Sequence, residues 1–290
     1  MGFSYLGGIM IIKQMLNNNV IIAENEKKEE VVVMGKGLAF GAKKGQVVPE
    51  DKIEKIFTNE KGYDFNHFAK LVSEIDLANF DFIESLINYI RDSLDKKLNN
   101  SIYITLTDHI NTLLERAEVG AYVKNTMLWD IKRLYKKEFE ISRQVVAKIN
   151  EKLVSKFDDN EAASIAMHIV NAELDTDMKT TIDITNAMSE ILNIVKYYFK
   201  IIYEEDSLAY SRFLIHLNFF TQRIFNGKTY KENESDELFE MVKVKYSDVY
   251  ECIKSIKTFL LKEYNYHLDD SEALYLTIHI AKVVRESKSI

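Results

Sequence analysis

The sequence predicts a mainly α protein, in which a small N-terminal antiparallel β domain is followed by two homologous all-α helical bundles. Two observations carry this prediction. Eight of the ten glycines lie in residues 1–62 and the single proline is Pro49, so the rest of the chain is almost free of residues that break helices. Within that later part, the same residue types recur at nearly constant spacing, which indicates an internal duplication.

The first region of the chain is predicted to form strands. The β-branched runs "NVIIA" and "EEVVVMG" flank the charged segment "ENEKK", which is a strand–turn–strand pattern. "GKGLAFGAKKGQVV" adds turn glycines, and "EDKIEKIF" indicates a short polar helix or turn. We therefore expect a β domain at residues 10–60, a linker near "TNEKGYD", and helices from about residue 66.

The helical region reads as two copies of one unit. Aligning the chain on His109 and on His216 brings identical residue types together at four further positions, which are Tyr103 with Tyr210, Asn111 with Asn218, Arg116 with Arg223, and Gly120 with Gly227. The two glycines stand where a left-handed residue can close a helix.

A second pair of histidines follows in the same way. "DDNEAASIAMHI" contains His168 and "DDSEALYLTIHI" contains His279, and each acidic opening predicts a capped helix N-terminus. The bundles are therefore expected at residues 66–176 and 177–290, with two histidines each. His67 and His267 fall outside the pattern and are interpreted as ordinary surface or packing residues.

Composition limits the possible functions. A net charge of −7 argues against non-specific nucleic-acid binding by the whole surface, but it leaves room for one small shaped site. Cys252 is the only cysteine, which excludes a disulfide framework and a cysteine-rich zinc site. No apolar run approaches the ~18 residues of a membrane span, and the opening residues lack the pattern of a signal peptide. We expect a cytoplasmic protein with no membrane insertion.

Paired histidines leave several interpretations open. A metal site is weakly indicated, since no HExxH motif or cysteine ligand set is present. Acid–base catalysis lacks an accompanying GxSxG, phosphate-binding loop or Cys/His signature, so no catalytic residue and no cofactor are predicted. Phosphorylation of the imidazole fits better, because the group is nucleophilic near neutral pH and would gain roughly −1.5 to −2 charges. Arg116 and Arg223 are candidates to pair with that charge. The alternative is that the histidines are ordinary core residues, which recur only because the whole domain was duplicated.

Several motifs in order resemble one known family. They are "LNNNV", "VVMGKGLAF", "IEKIF", "SIYITLTDHIN", "IKRLYKKEF", "AMHIVNAEL", "HLNFFTQRIFNG" and "LYLTIHI". Over residues 10–290 the chain resembles the BglG/SacY family of bacterial transcriptional antiterminators. The resemblance implies an N-terminal RNA-binding domain that is built from a small four-stranded sheet and that works as a homodimer. Its target would be a hairpin in a leader mRNA, whose stabilisation excludes the overlapping terminator.

The resemblance also implies which residues contact RNA. Asn19, Gly35, Gly37 and Phe40 match the family motif directly, whereas Lys36 stands where relatives often have arginine and lacks the planar fork of that residue. The chemistry is consistent, because a ring can stack on a splayed base and glycines allow close approach of the backbone. These five are the candidate RNA-binding residues.

By the same resemblance, His109, His168, His216 and His279 are phosphorylation sites of two regulation domains. A sugar permease of the phosphotransferase system would phosphorylate the first domain and switch the protein off, and the phosphocarrier HPr would phosphorylate the second and support activity. An aryl-β-glucoside or a sugar derived from β-glucan is the first expectation for the inducer. The alternative is a DNA-binding transcriptional activator with the same regulation domains, which requires an N-terminal helix-turn-helix. A metal-dependent helical enzyme is a third, weaker interpretation.

Overall fold

The computed structural model of the chain describes residues 8–58, 65–99, 101–154, 156–226 and 236–289. It begins with a four-stranded antiparallel sheet in the order β1-β2-β3-β4, formed by β1 (Ile11–Met15), β2 (Val20–Glu24), β3 (Glu30–Met34) and β4 (Lys55–Thr58). The strands predicted in "NVIIA" and "EEVVVMG" are confirmed as β2 and β3.

The expectation for "EDKIEKIF" was only half right. Glu50–Lys52 form one turn of 3-10 helix, but Lys55–Thr58 form β4, which pairs with β3. Pairing with a neighbouring strand outweighs the polar local sequence here, because strand formation depends strongly on cross-strand context.

Both faces of the sheet are covered, because successive side chains of a strand point to opposite faces. One face packs on helix α1 (Phe65–Glu74), and the other packs under the segment that joins β3 to β4. The sheet residues on the first face are Val20, Ile22, Val32 and Met34, and those on the second are Ile21, Ala23, Val31 and Val33. The β3–β4 segment, which carries most of the candidate RNA-binding residues, is thus anchored by buried Leu38 and Val48.

The remainder of the described chain is mainly helical, as predicted. The helices are α2 (Leu77–Ser93), α3 (Ser101–Glu118), α4 (Leu128–Leu134), α5 (Lys136–Lys152), α6 (Asp159–Leu174), α7 (Met178–Phe199), α8 (Leu208–Asn226), α9 (Asp236–Lys245), α10 (Ser247–Tyr264) and α11 (Asp270–Glu286). A short ladder joins β5 (Ile201–Ile202) to β6 (Lys288–Ser289). None of the described helices has the length and apolarity needed to span a bilayer.

The predicted helix ends are found where the structure describes them. Asp158 caps α6 by accepting from the Asn160 N–H, and Asp269 caps α11 by accepting from the Glu272 N–H. Gly120 has φ +66° just beyond α3, which is the left-handed closure that favours glycine. Gly227, its counterpart in the repeat, lies outside the described residues.

The chain divides into two compact units, one of residues 1–126 with 137–175 and the other of residues 127–136 with 176–290. Helix α4 therefore packs within the second unit, against α7. Its Arg133 Nη2 donates to Ser189 Oγ at 2.9 Å, and the buried Tyr135 hydroxyl lies 3.1 Å from Thr185 Oγ1. In the chain, however, α4 stands between α3 and α5, which belong to the first unit.

Candidate functional sites

The five candidate RNA-binding residues meet at one end of the sheet. Asn19 precedes β2, and the other four follow β3 in the segment from Gly35 to Phe40. Asn19 holds that segment directly, because its carbonyl oxygen accepts from the Gly35 N–H and its Oδ1 accepts from the Gly37 N–H, both at 2.9 Å. Asn19 therefore shapes the turn as well as facing it, a role that the sequence did not reveal.

Phe40 is the most exposed aromatic of this turn, with 78% of its surface open to solvent. Lys36, four positions earlier in the same turn, is also exposed, and its backbone N–H donates to Glu54. A large apolar ring costs free energy when it stays in water, and here it contributes little to the core. The turn thus presents an aromatic face and a cation together, which is the combination that stacks on a base and meets a phosphate.

The turn favours glycine at positions 35 and 37 for two different physical reasons. A Cβ added at Gly35 would lie 1.7 Å from the backbone oxygen of Lys52, so the close approach of two backbone segments requires glycine there. Gly37 has φ +65° and open space around the Cβ position, so only its left-handed conformation favours glycine.

We expect Gly35→Ala to disrupt the turn and Gly37→Ala to strain it mildly. The alanine at position 37 should cost about 1–2 kcal/mol of unfolding free energy, the usual penalty for a left-handed residue with a side chain. The alanine at position 35 must displace backbone and should cost more than that. Chemical denaturation of both variants compares them directly, and equal costs would contradict the close-approach explanation.

The four histidines form two pairs. His109 of α3 and His168 of α6 have ring centroids 4.7 Å apart, and His216 of α8 and His279 of α11 have centroids 3.8 Å apart. The sequence placed the members of each pair 59 and 63 positions apart, and the folded helices bring them together. Both copies of the repeat therefore build the same kind of paired-histidine site.

The first pair faces a buried carboxylate. Nε2 of His109 is buried 2.8 Å from Oε1 of Glu161, although the atoms are not aligned for a straight hydrogen bond, and Arg116 Nη2 donates to Oε2 of Glu161 at 3.0 Å. Burial alone would raise the pKa of Glu161, but the contacts with His109 and Arg116 outweigh it and hold that pKa below its usual value. Arg116, which the sequence suggested as a partner for a phosphoryl group, is thus already engaged.

The second pair has different surroundings. The Tyr275 hydroxyl contacts Nδ1 of His216, and Glu272, which corresponds to Glu161, accepts from the Tyr266 hydroxyl at 2.6 Å and from the Asp269 N–H at 3.4 Å. Burial, followed by the nearby positive charges, lowers the pKa of His216. Burial also lowers the pKa of His279, to about 4. Nothing in the described surroundings of His216 replaces the Glu161 contact.

Sequence reasoning missed Glu161 and Tyr275 as site residues. A signal for the first was available, because Glu161 stands seven positions before His168 and thus two helical turns away on the same face. Tyr275 stands four positions before His279, which also places it on the same face. What the pattern did not contain was the direction in which each side chain turns.

The first histidine pair predicts that the folded protein loses stability in acid. Burial, with a smaller effect of His109, lowers the pKa of His168 to about 3. Between about pH 6.5 and that value the unfolded chain binds a proton that the folded chain does not, so stability falls as the pH falls. We expect wild type to lose about 1 kcal/mol more unfolding free energy between about pH 6 and pH 5 than His168→Gln does.

Urea denaturation at the two pH values measures this difference. His267→Gln is the matched control, because His267 is exposed, and it should keep the wild-type pH dependence. Parallel curves for wild type and His168→Gln would show that His168 accepts a proton in the folded state.

Comparison with known proteins identifies the class. The CAT RNA binding domain matches residues 10–64, and the PRD domain matches twice, at residues 84–172 and 189–283. An RNA-binding sheet followed by two paired-histidine bundles defines a transcription regulator. The alternative of a DNA-binding activator is wrong for this region, because residues 11–58 contain a four-stranded sheet instead of a helix-turn-helix.

The relatives define the family. Transcription antiterminator LicT from Bacillus subtilis (strain 168) is 47% identical over 278 residues, which are 96% of this chain and 100% of that protein. The Beta-glucoside operon antiterminator from Dickeya chrysanthemi is 38% identical over 277 residues, with 96% and 98% covered. A crystal structure of GlcT CAT-PRDI is 35% identical, with a TM-score of 0.46, over 57% of this chain and 99% of that one. The chain belongs to the BglG family of transcription antiterminators.

Proposed function

We propose that this protein is a non-enzymatic, cytoplasmic antiterminator that binds a leader-mRNA hairpin as a homodimer and prevents formation of the terminator. The observation that carries the proposal is the exposed Phe40 on an RNA-binding domain, in a turn that Asn19 holds by accepting from the N–H groups of Gly35 and Gly37. An exposed ring in a fixed turn is prepared to stack on an unpaired base, and neighbouring Lys36 meets the backbone phosphate.

The proposed control is phosphorylation of the four paired histidines. Phosphorylation of His109 and His168 by a sugar permease switches the protein off when the sugar is absent. Phosphorylation of His216 and His279 by HPr supports activity when preferred sugars are scarce. The different surroundings of the pairs support opposite responses: a buried Glu161–Arg116 ion pair lies beside one, and a tyrosine lies beside the other.

The proposed inducer is a β-glucoside, since the name of one relative assigns that protein to a beta-glucoside operon. Because the permease transports the sugar and also acts on the first domain, the inducer need not touch this protein. The sugar class therefore rests on the relative and not on a pocket in this fold.

Transcription in vitro tests the proposal. A template that carries the leader of a β-glucoside operon is transcribed with the full chain, with or without phosphorylation by HPr and by the permease. We expect read-through to rise with the protein, to rise further after HPr treatment, and to fall after permease treatment. Read-through that is independent of the protein would contradict the function, and read-through that ignores both donors would contradict the control.

A further inference from the structure

The two nitrogens of the His109 ring are in unequal positions. Nε2 is buried against Glu161, whose side chain is 4% exposed and whose Oε1 lies 2.8 Å away. If the ring were rotated by 180° about its bond to Cβ, a carbon would lie against this carboxylate. The contact therefore favours the orientation in which Nε2 faces Glu161. Since two lone pairs repel each other at that distance, Nε2 carries a proton and the free lone pair of the neutral ring is on Nδ1.

A phosphoryl group cannot be added to Nε2 in this arrangement. The atom has no access to solvent, and the 2.8 Å gap to Oε1 leaves no room for phosphorus and its oxygens. The incoming group is also negative, and it would be forced against a second negative charge in a partly buried place. Attack by Nδ1 avoids both obstacles.

The second domain reverses the assignment. Nδ1 of His216 is occupied by the Tyr275 hydroxyl, and both oxygens of Glu272 are engaged with Tyr266 and with the backbone of Asp269. At the position of Tyr275 the first domain has Ser164, which accepts from Asn125 Nδ2 and donates to the Asn160 carbonyl. In the tautomer whose Nδ1–H donates to the Tyr275 oxygen, the lone pair of His216 lies on Nε2, and Nε2 is the nitrogen that remains for reaction.

We infer that His109 accepts its phosphoryl group on Nδ1, that His216 accepts its group on Nε2, and that Glu161 is the positioning residue responsible for the difference. This inference rests on the proposed function, because it takes both histidines to be phosphoacceptors. It assigns the atom that is modified in each domain and names a residue that selects it.

The transfer balances without any redox change. The Nδ1 lone pair of His109 forms the new bond to phosphorus, and the bond from phosphorus to the donor side chain breaks, with its electron pair returning to the donor. The ring keeps the proton on Nε2 and gains positive charge as the bond forms. Glu161 stabilises that charge, and Arg116 holds the carboxylate in place through its 3.0 Å hydrogen bond to Oε2.

Nuclear magnetic resonance of the full chain labelled with nitrogen-15 in histidine tests the inference. The protein is phosphorylated by phosphoenolpyruvate with the general phosphotransferase proteins and the permease. Long-range proton–nitrogen spectra distinguish phosphohistidine modified on Nδ1 from phosphohistidine modified on Nε2. His109→Gln and His216→Gln assign the signals, because each variant removes one set.

The outcomes separate the inference from the function beneath it. The Nδ1 isomer at His109 with the Nε2 isomer at His216 supports the inference. The Nε2 isomer at His109 overturns it and leaves the proposed phosphorylation intact. Absence of any phosphohistidine at position 109 overturns the proposed phosphorylation of His109, and the inference with it.

A matched pair of variants tests the role of Glu161. Glu161→Ala removes both the carboxylate and its bulk beside His109, so the Nε2 isomer should become detectable there. Glu272→Ala makes the same change at the corresponding residue, whose oxygens accept from Tyr266 and Asp269, so the isomer at His216 should not change. An unchanged isomer at His109 in a folded Glu161→Ala protein would remove Glu161 from the selection.

Discussion

Replacing His109 with aspartate is expected to lock the protein in its inactive form, whereas replacing it with alanine should leave it active without inducer. The aspartate removes the His109 contact and adds permanent negative charge beside Glu161, which keeps its ion pair with Arg116. Like charges about 4 Å apart near a protein surface repel by about 4 kcal/mol. A change of about 1.4 kcal/mol already shifts a two-state ratio tenfold, so a read-through reporter should detect a large difference.

His109→Asn is the control that isolates charge. Its side chain has nearly the shape of aspartate but is neutral, so the variant should behave like the alanine variant. Partial inactivation by aspartate remains consistent with the switch, because it has less charge and fewer acceptor oxygens than a phosphoryl group. Identical reporter activity for the aspartate, asparagine and alanine variants would contradict the switch at this position.

In the second domain the direction should reverse. His216→Asp combined with His279→Asp is expected to favour the active form, and alanine at both positions should abolish stimulation by HPr. The same reporter measures both, with and without HPr. If aspartate lowers activity in the first domain and raises it in the second, the added charge must favour the inactive form in one domain and the active form in the other. The unlike surroundings of the two histidine pairs are consistent with this.

Phe40→Ala is expected to weaken specific RNA binding about 5- to 150-fold while the domain stays folded. Loss of one aromatic stack costs ~1–3 kcal/mol per base, and the ring, 78% exposed, contributes little to the core. A gel-shift titration with the leader hairpin gives the affinity, and circular dichroism with size-exclusion chromatography checks the fold and the dimer.

Two further variants sharpen this prediction. Val47→Ala removes a side chain that is 56% exposed in the same domain but has no ring, so it should bind like wild type. Phe40→Tyr keeps the ring and should retain most of the affinity. Wild-type affinity for Phe40→Ala would remove the ring from the interface, and a loss of folding would make it a structural residue.

The sequence alone determined the order of the architecture and the positions of the histidines. Uneven glycine placement separated a β region from a helical one, because glycine and proline disfavour helix interiors wherever they stand. Constant offsets from His109 to Arg116 and from His216 to Arg223 revealed the duplication. Both features depend only on residue types and their spacing along the chain, so they can be recognised without knowing which segments pack together.

Only the tertiary structure decided what each histidine faces. The motif Asp-Asp-x-Glu-Ala occurs in both repeats, yet Glu161 contacts His109 while Glu272 caps its helix and accepts from Tyr266. The helical period fixes the face on which each glutamate lies, but the His109 that contacts Glu161 comes from another helix, 52 positions earlier in the chain. Likewise, Lys55–Thr58 form β4 because they pair with β3. Helix α4 packs on α7, although its neighbours in the chain are α3 and α5. Such contacts depend on how the elements pack, and the residues of one segment do not specify that packing.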